Sequence, residues 1–369
     1  MKHVVVIGCG VVGAMIAYEL SQISALQVTV LDRQPPAQAA TGAALGVLMG
    51  IISQKTKGRA WAMRQASIQR YRTLLPELEA DGQQLTWNHQ GILKLCFANE
   101  DLERWQELTT LRQQQGWQLE LWSPAQVQDH CPQIDSSAIT AAIYSPQDYQ
   151  VDPTALTLAL VNAAQQRGVS FRFDADVQTL VASQPHYCEQ IVTSVGSISA
   201  DWIVIAAGLG STPLTACLGQ TVPTHAVLGQ AMRVRLPQPL GDPTFQPVIT
   251  GNDIHIVPVA DHEYWVGATV EFPVDQAPTV ADSEQLTAVW QGAIDLCPAL
   301  ADATILKTWT GLRPRPQNRA APIVEPLAGY ANVFLATGHY RNGVLLAPAT
   351  AQLVRSALET HDFTDSESR

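Results

Sequence analysis

The sequence is short of positive charge. Its 22 lysine and arginine residues are outnumbered by 33 aspartate and glutamate residues, and the formal net charge is −11. Because nucleic acid and anionic membrane surfaces attract clustered basic residues, this balance argues against both as partners. The chain also lacks any run of about 18 apolar residues, so we expect no integral membrane segment and a soluble protein.

Cysteine and histidine show no metal-binding or disulfide pattern. The six cysteines lie at positions 9, 96, 131, 188, 217 and 297, and no two of them form a C-x-x-C pair. No H-E-x-x-H sequence or close Cys/His cluster is found either. We therefore predict no metal site, and reduced thiols that pack as small core residues in a cytoplasmic protein. Disulfides are the less favoured alternative, since spacing alone does not exclude them.

The N-terminal residues have the pattern of a nucleotide-binding unit. His3 to Ile7 is a β-branched run that predicts a buried parallel strand, and GCGVVG follows at 8–13. A helical apolar pattern comes next, and a second predicted strand, 28–31, ends at Asp32. This order of strand, glycine loop, helix, strand and acidic residue is typical of dinucleotide binding.

Each residue of this motif has a physical role. Gly8 permits a tight turn, Gly10 lets a pyrophosphate approach the backbone, and Gly13 lets the helix pack closely on the strand. The N-terminus of the helix offers unpaired N–H groups and the positive end of its dipole to the phosphates. Asp32 is able to accept hydrogen bonds from ribose hydroxyl groups.

Two features after the first strands have alternative interpretations. Arg33 is either a contact for a 2′-phosphate or, as we favour, a solvated charge, and the motif does not separate FAD from NAD. The small residues at 39–46 either let the backbone lie against an extended ligand or form a flexible loop.

The rest of the chain alternates between α/β and β-rich segments. We predict helices at 59–80, 100–115, 153–167, 282–296 and 342–358, strands at 91–97, 169–173, 202–206 and 333–338, β-rich segments at 177–204 and 222–272, and a disordered polar tail at 361–369. The pattern predicts an α/β fold with a discontinuous Rossmann-type domain and a β-rich substrate domain that has an antiparallel sheet and flanking helices. We assign residues 1–85, 150–220 and 310–369 to the first domain, and residues 86–149 and 221–309 to the second.

The chain resembles a known family over nearly its whole length. The similarity rests on GCGVVG at 8–13, TGAALG at 41–46, VDP at 151–153, VIAAG at 204–208, TGLRP at 310–314 and ATGHYRNGVLLAPATA at 336–351. In these motifs the sequence resembles the D-amino-acid oxidase superfamily of flavoproteins, and within it the glycine oxidase branch.

This resemblance implies that the first domain binds FAD. The cofactor residues that it implies are Gly8, Gly10, Val12, Gly13, Asp32 and Arg33 at the ADP portion, Thr41, Gly42 and Ala43 at the pyrophosphate and flavin, Val177 at the adenine, Ala207 and Gly208 near the phosphates, and Gly338, His339, Arg341, Asn342, Gly343 and Val344 at the flavin ring. No cysteine follows Cys297, so we expect FAD to be held non-covalently.

The resemblance also implies an activity and an anchor for the substrate. Arg313 anchors the substrate carboxylate, since its planar guanidinium offers a pair of parallel donors, although a surface ion pair is the alternative. Arg341 and His255 are the other two catalytic candidates, and His255 is not part of the family pattern. We expect an oxidase of glycine, sarcosine or a D-amino acid, in which hydride passes from the α-carbon to flavin N5, the imine hydrolyses, and O2 is reduced to H2O2. The alternatives are a dehydrogenase of the same fold that passes electrons to a quinone or carrier, and a flavin-binding assembly factor with a vestigial redox site.

The sequence departs from the glycine oxidase pattern in the substrate domain. His255 stands in place of a tyrosine, Val259 in place of an arginine, and residues 228–230 lack an arginine. His255 is therefore either a proton-active residue of the pocket or a histidine packed in the sheet. The basic residues at 55, 57 and 59 either promote the reaction with oxygen or form a solvated turn. Assembly into a homo-oligomer is compatible with the sequence.

Overall fold

The computed structural model describes residues 1–260, 262–273 and 280–366. The helices are α1 (Val11–Leu20), α2 (Gly58–Ala80), α3 (Leu102–Gln114), α4 (Pro124–His130), α5 (Pro153–Gln166), α6 (Ser211–Cys217), α7 (Ser283–Leu296) and α8 (Gly343–Ser366), with 3₁₀ turns at Gly208–Gly210, Pro298–Asp302 and Tyr340–Asn342. The strands are β1 (Lys2–Ile7), β2 (Leu26–Leu31), β3 (Val47–Leu48), β4 (Trp87–Asn88), β5 (Ile92–Cys96), β6 (Glu120–Trp122), β7 (Ala141–Ser145), β8 (Tyr149–Val151), β9 (Ser170–Arg172), β10 (Val177–Val181), β11 (Gln190–Thr193), β12 (Gly196–Ser199), β13 (Trp202–Ile205), β14 (Thr224–Arg235), β15 (Val248–Gly251), β16 (Ile254–Ala260), β17 (Glu263–Gly267), β18 (Thr304–Pro316), β19 (Ile323–Pro326) and β20 (Val333–Thr337).

A six-stranded sheet forms the part of the fold that is predicted to bind the nucleotide. Its strand order is β19-β20-β13-β1-β2-β9, and all neighbours run parallel except β19 and β20. The last four residues of β1 and all of β13 are buried, as expected of strands that are covered on both faces. Three helices, α1, α5 and α8, pack together on one face of this sheet.

An eight-stranded sheet forms the second part. Its order is β18-β14-β17-β16-β15-β5-β7-β6, and its neighbours run antiparallel except β15 and β5. The long strands β14 and β18 pair along their whole lengths at one edge. Two three-stranded sheets, β10-β11-β12 and β3-β8-β4, complete the topology. The predicted α/β fold with a parallel sheet and a β-rich part is confirmed.

Some elements differ from the prediction. The helix that we expected to end at 358 continues to Ser366, so residues 361–366 of the tail predicted to be disordered are helical, and 367–369 lie outside the described residues. This polar segment has no periodic apolar pattern that would predict a helix, yet polar residues are compatible with a helical backbone. Helix α4 and strands β6 to β8 were not predicted. The proposed boundary at residue 310 lies inside β18, which pairs with β14 on both sides of that position. The division into domains otherwise stays a prediction.

Three further observations concern the expectations from composition. No helix within the described ranges combines the length and apolar character needed to cross a membrane. All six cysteines are free thiols, and only Cys217 is exposed. Across the described part of the chain, no group of three or more histidine, cysteine or acidic side chains is arranged to hold a metal ion.

Candidate functional site

A cavity of about 900 Å³ lies between the two large sheets. On one side it is bounded by the segments that follow β1, β2, β13 and β20, which are at the carboxyl ends of the parallel strands. Ligands of open α/β sheets bind at this edge. On the other side it is bounded by residues of β14, β16 and β18. One continuous space therefore joins the glycine loop to the substrate-domain sheet.

Most predicted site residues line this cavity. Those that do are Gly8, Gly10, Val12, Asp32, Arg33, Thr41, Ala43, Val177, Ala207, Gly208, His255, Arg313, Gly338, His339, Arg341, Gly343 and Val344. The cavity thus brings together segments that are separated by more than 300 positions in the chain.

Three predicted cofactor residues do not line the cavity. A Cβ placed at Gly13 would overlap the Gly8 carbonyl oxygen, and one at Gly42 would overlap the Ala37 carbonyl oxygen. These two glycines permit close backbone packing behind the wall. The side chain of Asn342 turns away, and its Oδ1 accepts a hydrogen bond from Arg64 at 3.4 Å. A direct contact between Asn342 and a ligand in the cavity is therefore not supported.

The end of the cavity at the glycine loop and Asp32, which we call the dinucleotide end, is built mainly from backbone. Gly8 has φ of +106°, a conformation that favours glycine. The Asp32 carboxylate accepts hydrogen bonds from the amides of Cys9 at 2.6 Å and Gln34 at 2.9 Å. Each carboxylate oxygen has a further lone pair for a ribose hydroxyl group. The turn and the acidic residue are thus fixed by the protein itself.

The N-terminus of α1 supplies free donors to this end. The amide of Val11 donates to Thr41 Oγ1 at 3.0 Å, and the first helical hydrogen bond runs from Ala14 to Gly10. The amides of Gly10 and Val12, which line the cavity, have no acceptor among the described residues. Unpaired amides at a helix N-terminus bind phosphate, so this donor set fits the pyrophosphate of a dinucleotide.

The segment at 41–46 is packed against β18. Trp309 Nε1 donates to the Ala43 carbonyl oxygen at 3.1 Å. A Cβ placed at Gly311 would overlap the Cβ of Ala43, so the two backbones lie in close contact. Since this segment is held by both a hydrogen bond and close packing, the structure favours a fixed wall over a flexible loop.

The chain beyond that segment is held by two buried charges. Asp148 accepts hydrogen bonds from the amides of residues 50, 51 and 52 at 2.8 to 2.9 Å. Arg112 donates to the carbonyl oxygens of residues 51, 53 and 55 at 2.8 to 2.9 Å, and its guanidinium lies 3.6 Å from the centre of the Trp61 ring. Burial raises the pKa of Asp148 to about 6 and lowers that of Arg112 to about 10. Sequence reasoning missed this pair, because isolated charged residues carry no motif.

Arg313 lies at the substrate-domain side of the cavity with part of its donor set free. Its guanidinium lies across Gly229, where any Cβ would overlap it. Nη1 donates to the carbonyl oxygens of Leu228 and Thr269, both at 3.1 Å, whereas no described residue accepts from Nε or Nη2. Burial lowers the pKa of Arg313, with a smaller effect from Arg341. Because no described carboxylate pairs with it, the surface ion-pair interpretation is not supported.

His255 lies on the same face of the sheet as Arg313. Across the sheet, His255 is in register with Gly267, Ala231 and Trp309 on the three successive strands β17, β14 and β18. Arg313 follows Trp309 by four residues on β18, an even number, so its side chain is on the same face. The ring has no hydrogen-bond partner among the described residues, and its Nδ1 is enclosed by protein. Burial, and then the charge of Arg341, lowers the pKa of His255 to about 4.

Arg341 is the second guanidinium at this end. It lines the cavity next to the start of α8 and forms an ion pair with Asp253 at 3.2 Å. Asp253 is 78% exposed, so this pair faces solvent and is weak. The substrate end thus holds two arginines and a neutral histidine.

The departures from the glycine oxidase pattern do not all lie at the cavity. Val259 lines a separate small pocket with Arg233 and Trp265, so its difference from the pattern does not alter the wall of the main cavity. Gln230 does line the cavity, and its Nε2 donates to the buried carboxylate of Glu271 at 2.9 Å.

The basic residues 55, 57 and 59 do not line the cavity. Arg59 donates to the Val324 carbonyl oxygen at 2.7 Å, and Lys55 and Lys57 are exposed. Their positions favour the solvated turn over a role in the reaction with oxygen.

Sequence reasoning also missed residues that shape the anchor. Gly229 has no side chain, and the Arg313 guanidinium occupies the space that a Cβ would fill. Thr269 accepts from that guanidinium, and its hydroxyl group accepts from the Gln230 amide at 2.8 Å and donates to Glu271. The only signal in the sequence was the glycine in the middle of a predicted strand, which marks a close approach of another group.

Comparison with known proteins identifies relatives over the whole chain. The model of the FAD-dependent oxidoreductase (DAO) family matches residues 3–357. The bifunctional protein ThiO/ThiG of Synechocystis is 34% identical over 364 residues, which are 96% of this chain and 51% of that protein. The glycine oxidase of Geobacillus kaustophilus is 27% identical over 362 residues, 96% of this chain and 92% of the relative. The chain spans about half the length of the bifunctional relatives.

The fold is similar to a solved structure of the same glycine oxidase. The crystal structure of glycine oxidase from Geobacillus kaustophilus has a TM-score of 0.86 and 26% identity, with 98% of this chain and 95% of that chain covered. The similarity therefore extends over both large sheets and the cavity between them.

Proposed function

The chain belongs to the FAD-dependent oxidoreductase (DAO) family, and from this premise we propose that it oxidises the C–N bond of a small amino acid or N-methyl amino acid. The observation that carries the proposal is Arg313. It presents free guanidinium donors to the same cavity that the glycine loop of the FAD site enters. Glycine, sarcosine and small D-amino acids are the substrates that we propose.

A carboxylate is the partner that Arg313 lacks. Transfer of a carboxylate from water into a protein cavity is costly unless the charge is paired and hydrogen-bonded. With Nη1 held by two carbonyl oxygens, Nε and Nη2 are left to bind one carboxylate. The anchored carboxylate fixes the position of the α-carbon, which is the condition for a directed hydride transfer.

The surroundings of Arg313 favour a small substrate. Gly229, Ala231 and Gly311 line the cavity on the sheet face between Arg313 and His255. Gly229 lets the Arg313 guanidinium lie close to the sheet, and Gly311 lets Ala43 pack directly on it. The proposed substrate therefore lies beside this contact with its carboxylate on Arg313, in a space that the 41–46 segment borders.

FAD bound in this cavity would supply the acceptor for the hydride and a route for the electrons to a second acceptor. The chain contributes positioning and electrostatics. The residues at 338–344 lead into α8, whose positive N-terminal end points to the cavity at Gly343 and Val344. Arg313 holds the carboxylate. The imine that leaves the site hydrolyses to an oxo acid and ammonia or an amine.

We propose O2 as the acceptor, with H2O2 as the product. The oxidase names of relatives that align over nearly their whole length support this choice. A dehydrogenase that uses a quinone or carrier is the alternative, and no cavity residue favours it. The vestigial assembly factor is disfavoured, because such a protein has no need of a half-buried arginine in the cavity that lacks a carboxylate partner among the described residues. Non-covalent FAD binding and a cytoplasmic location stay predictions.

The experiment that tests this function is anaerobic reduction of the bound flavin. Purified protein is mixed without oxygen with glycine, sarcosine, D-alanine or methylamine, and the flavin absorbance is followed. We expect bleaching by at least one of the three amino acids and none by methylamine, followed by recovery of colour and formation of H2O2 when air is admitted. Bleaching by methylamine alone would overturn the amino-acid proposal, and bleaching without recovery in air would favour the dehydrogenase.

A further inference from the structure

His255 has no hydrogen-bond partner among the described residues, and the proposed substrate has to lose a proton from its ammonium group before it reacts. Amino acids bind as zwitterions, whereas hydride loss from the α-carbon requires a neutral amine that can donate its lone pair. We propose that His255 Nε2 accepts this proton from the substrate ammonium group in the enzyme–substrate complex. The N–H bond of the ammonium breaks, an Nε2–H bond forms, and the proton passes to water after the product leaves. This inference rests on the proposed function.

The geometry leaves one ring nitrogen available. Nδ1 of His255 is enclosed by protein, whereas Nε2 is accessible and accepts no hydrogen bond from a described residue. His255 faces the cavity from the same side of the sheet as Arg313. The Arg313 guanidinium lies over Gly229, two residues before Ala231 on β14, and Ala231 is connected in register through Gly267 to His255. A substrate whose carboxylate lies on Arg313 is therefore able to extend its amino group along this face toward the imidazole.

Other candidate bases are accounted for among the described residues. Asp32 and Asp176 line the opposite, dinucleotide end of the cavity, next to the glycine loop and Val177. Nε2 of His339 is already hydrogen-bonded to Thr350 Oγ1 at 2.9 Å within a buried site. The carboxylates nearest to the substrate end, Asp253 and Glu271, do not line the cavity.

The charges around His255 make proton transfer depend on the substrate. The groups that act on it are Arg341 at the 3₁₀ turn, Arg313 on β18 and Asp253 in the turn before β16, and its neighbours in register, Thr250 and Gly267, do not titrate. Burial, and then the two guanidinium groups, keep the free imidazole neutral. A substrate carboxylate bound to Arg313 offsets one of these positive charges and so raises the pKa of His255. The guanidinium groups disfavour the ammonium form of the amine as well as the imidazolium, so acceptance of the proton by His255 depends on the carboxylate that the substrate brings.

The first test compares the pH dependence of anaerobic flavin reduction in wild type and His255→Gln. Glutamine is polar and similar in length, but it does not accept the proton. At pH 7 we expect reduction by the best amino acid to slow by roughly 10²- to 10⁴-fold. The rate of the variant should rise about tenfold per pH unit, because the fraction of free amine rises in that way, and approach the wild-type rate at high pH. His130→Gln, an exposed histidine far from the cavity, is the matched control.

A loss of rate that is equal at every pH would indicate a structural role and overturn the proposal. An unchanged rate would overturn it as well. These outcomes differ from failure of the proposed function, in which no amino acid reduces the flavin of the wild type.

The second test does not depend on turnover. NMR spectra of holoenzyme with isotope-labelled histidine are compared with those of His255→Gln to identify the His255 resonance. The probes are acetate, which has a carboxylate but no amine, and 2-aminoisobutyrate, which has no α-hydrogen to lose. We expect a neutral ring at pH 7 in the free enzyme, a raised pKa with acetate, and a protonated ring with 2-aminoisobutyrate. A ring that stays neutral with bound 2-aminoisobutyrate would overturn the proposal.

Discussion

The two ends of the cavity are built in different ways. At the dinucleotide end, Asp32 and Thr41 already have protein partners, and the groups left free are backbone amides at the start of α1. At the substrate end, the free groups are side chains, namely the unpaired donors of Arg313 and the imidazole of His255. The dinucleotide end is thus shaped by backbone that is fixed before the ligand binds. The substrate end instead has positive charge without a negative partner, which the ligand has to supply.

This difference predicts two kinds of mutant. Changes at the glycine loop should remove the cofactor, because bulk excludes the phosphates. Changes at the substrate end should leave the cofactor in place and impair turnover, because only the partner of the substrate is lost. The predictions below test that separation, from the largest expected effect to the smallest.

Gly10→Val should abolish retention of FAD. A Cβ at this position would lie 3.0 Å from Thr41 Oγ1, and the larger side chain would occupy the space before the free amides of α1. The measurement is the ratio of flavin to protein absorbance after purification, with circular dichroism to show that the variant is folded. A folded Gly10→Val protein with full flavin content would place the pyrophosphate elsewhere.

Arg313→Ala should lose turnover but keep FAD. Truncation of one partner of a buried charge pair costs about 2–5 kcal/mol, so kcat/KM should fall roughly 30-fold to several thousand-fold. Arg313→Lys should recover part of this, since a point charge does not reproduce the planar pair of donors. Steady-state kinetics at matched flavin content measure the effect. Arg319→Ala, which breaks only an exposed ion pair with Glu325, is the control and should be unchanged.

His255→Tyr should change the order of substrates, in addition to the loss of rate at neutral pH that it shares with His255→Gln. The tyrosine places a hydroxyl group at the position where the glycine oxidase pattern has one, and a single hydrogen bond changes relative kcat/KM by roughly tenfold. The ratio of kcat/KM for glycine to that for D-alanine is the quantity to compare. An identical ratio in wild type and variant would mean that the ring does not reach the substrate.

Denaturation should release FAD in unmodified form. This is the smallest of the expected effects, because no covalent bond has to break. None of the cysteines lines the cavity, and Cys9 within the glycine loop is fully buried. Acid precipitation should give a colourless pellet and a yellow supernatant whose flavin has the mass of FAD. A yellow pellet would show a covalent link.

The dinucleotide end was predictable because its parts are close in sequence. Strand β1, the glycines, α1, β2 and Asp32 follow each other within the first 32 residues, and apolar periodicity and turn chemistry describe such local units well. The structure places the glycine loop between β1 and α1, and a Cβ at Gly13 would overlap the Gly8 carbonyl oxygen, which fits the close packing expected of this glycine.

The substrate end was less predictable because it depends on pairing between distant strands. The place of Arg313 over Gly229 follows from the register of β18 with β14, some 84 positions apart (313 minus 229), and no local pattern fixes that register. For the same reason the sequence did not indicate that Val259 lies at a separate pocket and not at the main cavity. The buried pair Arg112 and Asp148 has no sequence signal at all.

The central claim is that Arg313 anchors a carboxylate beside the flavin, and one comparison tests it directly. Anaerobic flavin reduction is measured with the best amino acid and with its carboxamide, which has nearly the same shape but no negative charge, in wild type and Arg313→Ala. We expect wild type to prefer the acid by roughly 30-fold or more, and Arg313→Ala to lose that preference while retaining its FAD. If Arg313→Ala keeps the full preference for the acid, the carboxylate is bound elsewhere and the claim is wrong.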